Sequence, residues 1–238
     1  MESIKGRNIL VVGATGTIGM ELVKLLQTSG ANVFTAGRNK EKLSLLESAY
    51  KIAPEKNFEC DITGENSIKE MSENIHRQVP AVDILVIVSG IGIIQPFESL
   101  SLGSFEKTIK TNLTGPFLLL KHFLPAMKQQ KKGLIINVPG ILGKVPMAGA
   151  AAYSASKYGL TGMMQSIREE LKRTEIRITN LFLGGTDSAF WDSIDLRVQR
   201  DKMIMAAEAA KAIWFLCQQP ASGVVSEMVL QPFNHQAI

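Results

Sequence analysis

The chain has 238 residues, of which 45% are hydrophobic and 20% charged, a composition typical of one globular domain rather than a disordered chain. Its net charge of +4 comes without a clustered basic patch, so no nucleic-acid partner is expected. Cys60 and Cys217 lack metal-ligand spacing, and no apolar stretch is long enough for a membrane helix, so we expect a cytoplasmic protein without metal or membrane contact.

Short apolar runs that predict strands alternate with longer helical patterns along the chain. In chain order, the prediction is strand Asn8 to Val12, helix Ile18 to Ser29, strand Asn32 to Ala36, helix Lys40 to Ala53, strand Phe58 to Asp61, helix Glu65 to Arg77, strand Asp83 to Val88, helix Phe105 to Gln130, strand Leu134 to Val138, helix Tyr153 to Arg173, strand Arg177 to Leu183, helix Ala206 to Gln218 and strand Met228 to Leu230. The strands are continuously apolar, which is typical of parallel strands buried on both faces. The pattern predicts one α/β domain over residues 1–238, a doubly wound parallel sheet of about seven strands with helices on both faces.

The first predicted strand ends in GATGTIG, which opens directly into a helix. Glycines in this place permit a tight turn and close approach of a pyrophosphate, and the helix N-terminus offers free N–H groups. The motif predicts a dinucleotide site, and an ordinary strand–helix turn is the alternative. The predicted cofactor contacts of this loop are Gly13, Thr15, Gly16, Thr17, Ile18 and Gly19.

The end of the second strand, TAGRNKEK, bears on the choice of cofactor. NAD binders carry an acidic residue here for the ribose diol, but this chain has Gly37 followed by Arg38. A guanidinium can pair with a 2′-phosphate, and Lys40 and Thr15 can assist, so NADP(H) is favoured over NAD(H). The alternative is that Arg38 only caps the sheet edge in water. Asp61 is predicted to accept from the adenine amino group or to cap the following helix.

Tyr153 and Lys157 lie four residues apart in AAAYSASKYGL and share one face of the predicted helix. A free phenol has a pKa of ~10, and a nearby ammonium is expected to lower it. The pair therefore predicts a general acid for carbonyl reduction, or a general base for alcohol oxidation. Two surface neighbours without a chemical role are the alternative.

The motifs GATGTIG, CDIT, NLTG, YSASK and NLFLGGTDS occur in one order, and together they resemble the short-chain dehydrogenase/reductase family over essentially the full length. The resemblance implies a Rossmann-like domain in which a hydride passes between a nicotinamide and a small-molecule carbonyl or alcohol. It implies catalytic roles for Tyr153 and Lys157, with Asn112 holding a water of the proton relay. It implies a homodimer or homotetramer through the helices 105–130 and 153–173, and further cofactor contacts from Ile62, Ser89, Gly90, Lys157, Gly184 and Thr186.

Residues 188–202, here termed the lid segment, match a region that covers the substrate in the family, and Trp191 is predicted to line the substrate site. A helix packed on a partner subunit is the alternative for this segment.

The chain departs from the family at Gly140, thirteen residues before Tyr153, where members carry a serine that hydrogen-bonds the substrate oxygen. Losing one such donor costs about 10²–10³ in turnover. Gly140 is therefore a predicted substrate contact, and Gly140→Ser is predicted to raise turnover if the pocket is otherwise intact. The departure leaves two alternatives to a redox enzyme: a binding or regulatory protein, and a non-redox dehydratase or isomerase.

Overall fold

The structure is a computed structural model that describes residues 1–233, and its strands follow the predicted order. They are β1 (Asn8–Val12), β2 (Asn32–Gly37), β3 (Asn57–Glu59), β4 (Ile84–Ile87), β5 (Lys132–Asn137), β6 (Glu175–Leu183), β7 (Thr186–Asp187), β8 (Ile204–Met205) and β9 (Glu227–Leu230). Seven of them form one parallel sheet in the order β3-β2-β1-β4-β5-β6-β9, while β7 and β8 pair separately. The predicted doubly wound Rossmann-like sheet is confirmed.

Helices cover both faces of this sheet. They are α1 (Thr17–Thr28), α2 (Lys40–Tyr50), α3 (Glu65–Gln78), α4 (Leu102–Ile109), α5 (Gly115–Gln129), α6 (Ala151–Leu171) and α7 (Ala206–Leu216). Successive side chains of a strand point to opposite faces, so Ile9 and Val11 pack with α1, α2 and α7, whereas Leu10 and Val12 pack with α3, α5 and α6. This double burial explains the continuously apolar strands.

The strand order reverses between β1 and β4, because the chain runs outward through β2 and β3 before returning to the other side of β1. At such a reversal the loops after the two strands separate and leave a crevice at the carboxyl ends of the strands. Gly13, directly after β1, and Ser89, after β4, approach each other there: a Cβ on Gly13 would lie 2.7 Å from the Ser89 nitrogen.

The predicted long helical region, roughly Phe105 to Gln130, is helical in the structure but is not one regular α-helix. The structure has α4 and α5 joined by a π-helical turn, Lys110–Thr114. Pro116 lies in the first turn of α5, where a helix needs no N–H donor. The wide turn directs Asn112 into the interior, where it is 0% exposed.

Two other predicted helices have different limits. The second ends at Tyr50 rather than Ala53, because Lys51 takes a left-handed conformation with φ 56°. The helix predicted from Tyr153 begins two residues earlier, at Ala151. Within residues 1–233, no helix is long and apolar enough to cross a membrane.

Candidate functional site

The loop after β1 is shaped for a close approach between backbone segments. Gly13 has φ +95°, and a Cβ on Gly19 would lie 2.8 Å from the Cα of Ala14, so side chains at either position would collide with backbone. Gly16 precedes α1, and no side chain caps this helix end. The N-terminus of α1 therefore keeps N–H groups and a positive dipole end for an anion in the cleft.

The loop after β4 forms the opposite bank of the crevice. The Ser89 hydroxyl is buried and has no hydrogen-bond partner among residues 1–233. A Cβ on Gly90 would lie 3.2 Å from Oδ1 of Asn112 and 3.4 Å from Nζ of Lys157. Glycine at this position lets the chain pass directly over these two polar groups.

The edge after β2 has no room for the acidic side chain typical of NAD binders. A Cβ on Gly37 would lie 2.6 Å from the side chain of Thr15, so Thr15 occupies that space. Arg38 is exposed and forms no salt bridge within the described part of the chain. Lys40 is already paired, because its Nζ lies 3.0 Å from a carboxylate oxygen of Glu59.

The proposed capping role of Asp61 was wrong. Its carboxylate accepts from the backbone N–H and the hydroxyl of Thr63, both at 2.9 Å, whereas Gly64 is the residue that precedes α3. The backbone hydrogen bond from Thr63 lowers the pKa of Asp61, and the charges of Arg38 and Lys110 lower it further. Asp61 therefore stays ionised beside Arg38.

Tyr153 and Lys157 share one face of α6, and Nζ of Lys157 lies 5.5 Å from the centroid of the Tyr153 ring. Lys157 is 3% exposed and donates to the carbonyl of Val138 at 3.4 Å. Burial lowers the pKa of Lys157 to about 8. Burial also raises the pKa of the Tyr153 phenol, so the expected lowering by the ammonium is not the dominant effect in the cofactor-free protein.

Asn112 ties the π-helical turn to the loop after β4. Its Oδ1 accepts from the N–H of Ile91 at 2.9 Å, and its Nδ2 donates to the carbonyl of Ile91 at 2.9 Å and to Ser156 Oγ at 3.1 Å. The side chain therefore holds the loop against α6, the helix that carries Tyr153. A part in a water relay stays a prediction.

Gly140 has φ +74° and ψ 169°, a combination that is essentially restricted to glycine. A Cβ there would have its nearest contacts at 3.6 Å to the Leu183 carbonyl and 3.8 Å to the Tyr153 hydroxyl. The space is open, but the backbone is not one that serine adopts. The backbone conformation of Gly140 therefore argues against the gain in turnover that the sequence predicted for Gly140→Ser.

The lid segment is not a continuous helix; it contains two short 3₁₀ turns, Ala189–Ser193 and Arg200–Lys202. The indole N–H of Trp191 donates to the Thr186 carbonyl at 3.0 Å. The N–H of Ala189 donates to the hydroxyl of Thr17 at 3.2 Å, which connects the lid segment to the loop after β1.

One cleft of about 1000 Å³ joins these parts. Its walls include most of the predicted site, namely Gly13, Gly16, Thr17, Ile18, Gly19, Ser89, Gly90, Gly140, Tyr153, Lys157, Gly184, Thr186 and Trp191. Five predicted residues are not on these walls: Thr15, Arg38, Asp61, Ile62 and Asn112. The side chain of Ile62 lies in the core instead, against Gly115.

The sequence reasoning missed several residues of the cleft. Phe190 is the most prominent, because its ring centroid lies 5.6 Å from that of Tyr153. Ser188 and the apolar side chains of Ile94, Ile141 and Met147 also line the cleft. The aromatic pair formed by Phe190 and Trp191 was a visible signal, although nothing in the sequence shows where the first ring packs.

The parallel sheet with this cleft defines a Rossmann-like scaffold, and comparison with known proteins identifies the family. The model for short chain dehydrogenases matches residues 7–198. The chain therefore belongs to the short-chain dehydrogenase/reductase family of oxidoreductases.

Relatives and solved structures agree with this assignment. The uncharacterized oxidoreductase YxjF of Bacillus subtilis is 30% identical, over 93% of this chain and 95% of the relative. The 3-oxoacyl-[acyl-carrier-protein] reductase FabG of Rickettsia felis is also 30% identical, over 96% of each chain. A metagenomic short-chain oxidoreductase in complex with NADP is 29% identical with a TM-score of 0.81, over 98% of this chain and all of that one. An alcohol dehydrogenase of Thermococcus sibiricus, 21% identical over 98% of this chain and all of that one, shares the fold with a TM-score of 0.88.

Proposed function

We propose that the protein is an NADP(H)-dependent oxidoreductase that interconverts a small-molecule carbonyl compound and the corresponding secondary alcohol. One observation carries the proposal: a single cleft has the uncapped N-terminus of α1 on one wall and the Tyr153–Lys157 pair on another. An anion site and a proton donor in one cleft are what such a reaction requires.

The residues of the cleft fit a nicotinamide dinucleotide. The free N-terminus of α1 suits a pyrophosphate. The buried Ser89 hydroxyl has no hydrogen-bond partner among residues 1–233, and the Lys157 ammonium lies next to Gly90 in the loop after β4. Lys157 would hold the ribose, and Gly184 and Thr186 would border the nicotinamide. When bound, the cofactor supplies or takes up a hydride.

In the reductive direction, Tyr153 Oη donates its proton to the carbonyl oxygen while the carbonyl carbon gains the hydride. The phenolate left behind is stabilised by the Lys157 ammonium and then regains a proton from water. Asn112 contributes by fixing the loop after β4 against α6 through Ile91 and Ser156. The lid segment, residues 188–202, would close the substrate end within the single domain.

Arg38 supports the choice of NADP(H). It is exposed at the edge after β2, and Thr15 occupies the space that an acidic side chain at position 37 would need. A charge-assisted hydrogen bond to the 2′-phosphate contributes about 1.5–3 kcal/mol, or roughly 10- to 150-fold in affinity. Arg38→Ala should therefore weaken NADPH binding by that factor and leave NADH binding unchanged. Lys40→Ala is the matched control, because Lys40 already pairs with Glu59.

The decisive assay follows NADPH consumption with a panel of ketones. Tyr153→Phe should lower turnover by about 10²–10⁴ and leave the NADPH dissociation constant unchanged. Tyr158→Phe is the control, since Tyr158 is 43% exposed on the same helix. Equal loss in both variants would show that the proton donor is wrongly assigned.

A second candidate is a binding or regulatory protein with no turnover, and Gly140 favours it because no hydroxyl stands where family members carry serine. NADPH binding without consumption of any carbonyl would support this candidate over the first.

The protein is further proposed to form a homodimer or homotetramer through α4, α5 and α6. Large apolar side chains are exposed there in the single chain: Leu102, Phe105, Phe117 and Tyr158. Phe117→Glu should shift the sedimentation coefficient to that of a monomer, and an unchanged value would exclude this face. Cytoplasmic localisation stays a prediction.

A further inference from the structure

The Tyr153 ring is covered by a residue that no motif identifies. Phe190 lies with its ring centroid 5.6 Å from that of Tyr153 and with the two planes tilted by 60°. Phe190 and Tyr153 also line the same cleft, so Phe190 borders the space in which a substrate carbonyl would meet the Tyr153 hydroxyl. Phe190 therefore limits the space available to a substituent of that carbonyl.

Phe190 is held in place from two sides. Its ring fills a notch over Gly92, where an added Cβ would overlap the Cζ atom and lie 3.1 Å from Cε1. Trp191 meets the ring edge-on, with centroids 5.2 Å apart and planes at 84°, and its indole N–H is fixed by the Thr186 carbonyl. Contacts on both sides make the ring a fixed wall rather than a mobile side chain.

The cleft is open on the Gly140 side of the Tyr153 hydroxyl, and several apolar side chains line the cleft. A Cβ at Gly140 would lie 3.8 Å from Oη, so the space that a side chain would take there is free. Ile94, Ile141 and Met147 line the cleft and are half-buried. Of the cations that line the cleft, Arg197 and Lys202 are exposed, and the buried Lys157 is the residue assigned to the cofactor ribose. With Lys157 engaged in this way, a charged substrate group near Tyr153 would lose water without gaining a partner of its own.

We infer that Phe190 is a specificity-determining residue that restricts the size of one substituent of the substrate. The substrate class is then an uncharged, largely apolar ketone or secondary alcohol with one small and one larger substituent. The larger group occupies the open space beside Gly140 and Met147. This inference rests on the proposed function, and it goes further by naming the substrate class and the residue that selects it.

The test compares alkyl phenyl ketones whose alkyl group grows from methyl to butyl, with NADPH as reductant. One misplaced methylene in an apolar pocket costs about 10- to 200-fold in kcat/KM. In the wild type, kcat/KM should fall at least about tenfold along the series. Phe190→Ala should flatten this dependence, Phe190→Tyr should keep it, and the NADPH dissociation constant should stay the same in both.

A second variant moves the ring without removing it. Gly92→Ala places a methyl group where the Phe190 ring lies, so it should flatten the same size dependence and erode the enantiomeric excess of the alcohol product. Leu196→Ala is the control, because this side chain is 45% exposed in the lid segment and does not line the cleft.

The outcomes separate the two proposals. Absence of turnover with every ketone would refute the proposed function itself. Turnover whose size dependence is the same in the wild type, Phe190→Ala and Gly92→Ala would refute the role of Phe190. A carboxylated phenyl ketone that is preferred over its neutral counterpart would refute the apolar substrate class.

Discussion

Gly140→Ser tests whether the missing hydroxyl can simply be restored. Steric space does not oppose the change, because the nearest atoms to an added Cβ are 3.6 and 3.8 Å away. The backbone conformation does oppose the change, since φ +74° with ψ 169° costs a residue other than glycine about 1–3 kcal/mol. For a chain of this size that corresponds to a fall in Tm of about 2–12 °C.

Thermal unfolding and NADPH turnover should be measured on the same preparations. Gly140→Ala should lose as much stability as Gly140→Ser, because both carry the same backbone cost. Gly162→Ser is the matched control: Gly162 lies in α6, its φ is not positive, and nothing lies within 4 Å of an added Cβ. Gly162→Ser should leave Tm unchanged or raise it slightly, since glycine is a poor helix former.

Turnover should not rise in Gly140→Ser, because serine relieves the strain of φ +74° only if the loop after β5 changes conformation, and this loop borders Tyr153 in the cleft. An unchanged Tm together with a gain of about 10²-fold would refute this reasoning. Such a result would mean that the loop accepts serine at position 140 without backbone strain.

Four further predictions concern Lys157 and the lid segment. NADPH affinity, measured by fluorescence titration, should fall as pH rises through about 8, where Lys157 loses its charge, and Lys157→Met should show no such step. Because the folded pKa of Lys157 lies below its ordinary 10.5, its contribution to the free energy of unfolding should rise between pH 8 and 10.5, as urea titrations can show. Arg200→Ala removes contacts with Asp187 and Asp192, so KM for the ketone should rise several-fold in steady-state assays while kcat changes little. Thr17→Gly should speed hydrogen exchange in residues 188–202, whereas Thr17→Ser should not, because only the hydroxyl binds the Ala189 N–H.

The sheet and the phosphate loop could be predicted because their signals are local. Apolar runs define β1 and its neighbours, and the glycines of GATGTIG sit where backbone segments approach too closely for side chains. The π-helical turn could not be predicted in this way. It is stabilised by Asn112 through Ile91 and Ser156, which lie 21 and 44 residues away in the chain, so no local periodicity reports it.

In the candidate site, too, local features could be predicted from the sequence and long-range contacts could not. The spacing of Tyr153 and Lys157 predicts one shared helix face, and the structure places Nζ near the ring. The position of Phe190 over Gly92 depends on a contact across 98 residues, and the sign of φ at Gly140 depends on the loop after β5. Sequence reasoning therefore predicted that Tyr153 and Lys157 lie together, and it missed the side chains that form the walls around them.

Burial also changes the protonation equilibria of Tyr153 and Lys157. The spacing alone indicated an ammonium that lowers the pKa of a neighbouring phenol, but burial raises the pKa of Tyr153 and lowers that of Lys157 to about 8. Near neutral pH the phenol is therefore protonated while the amine is still largely charged. A protonated phenol can donate at once to a carbonyl oxygen, and the charged amine stabilises the phenolate that results. Alcohol oxidation needs the phenolate at the start, which burial disfavours, so under the proposed function Tyr153 is set to donate a proton at neutral pH.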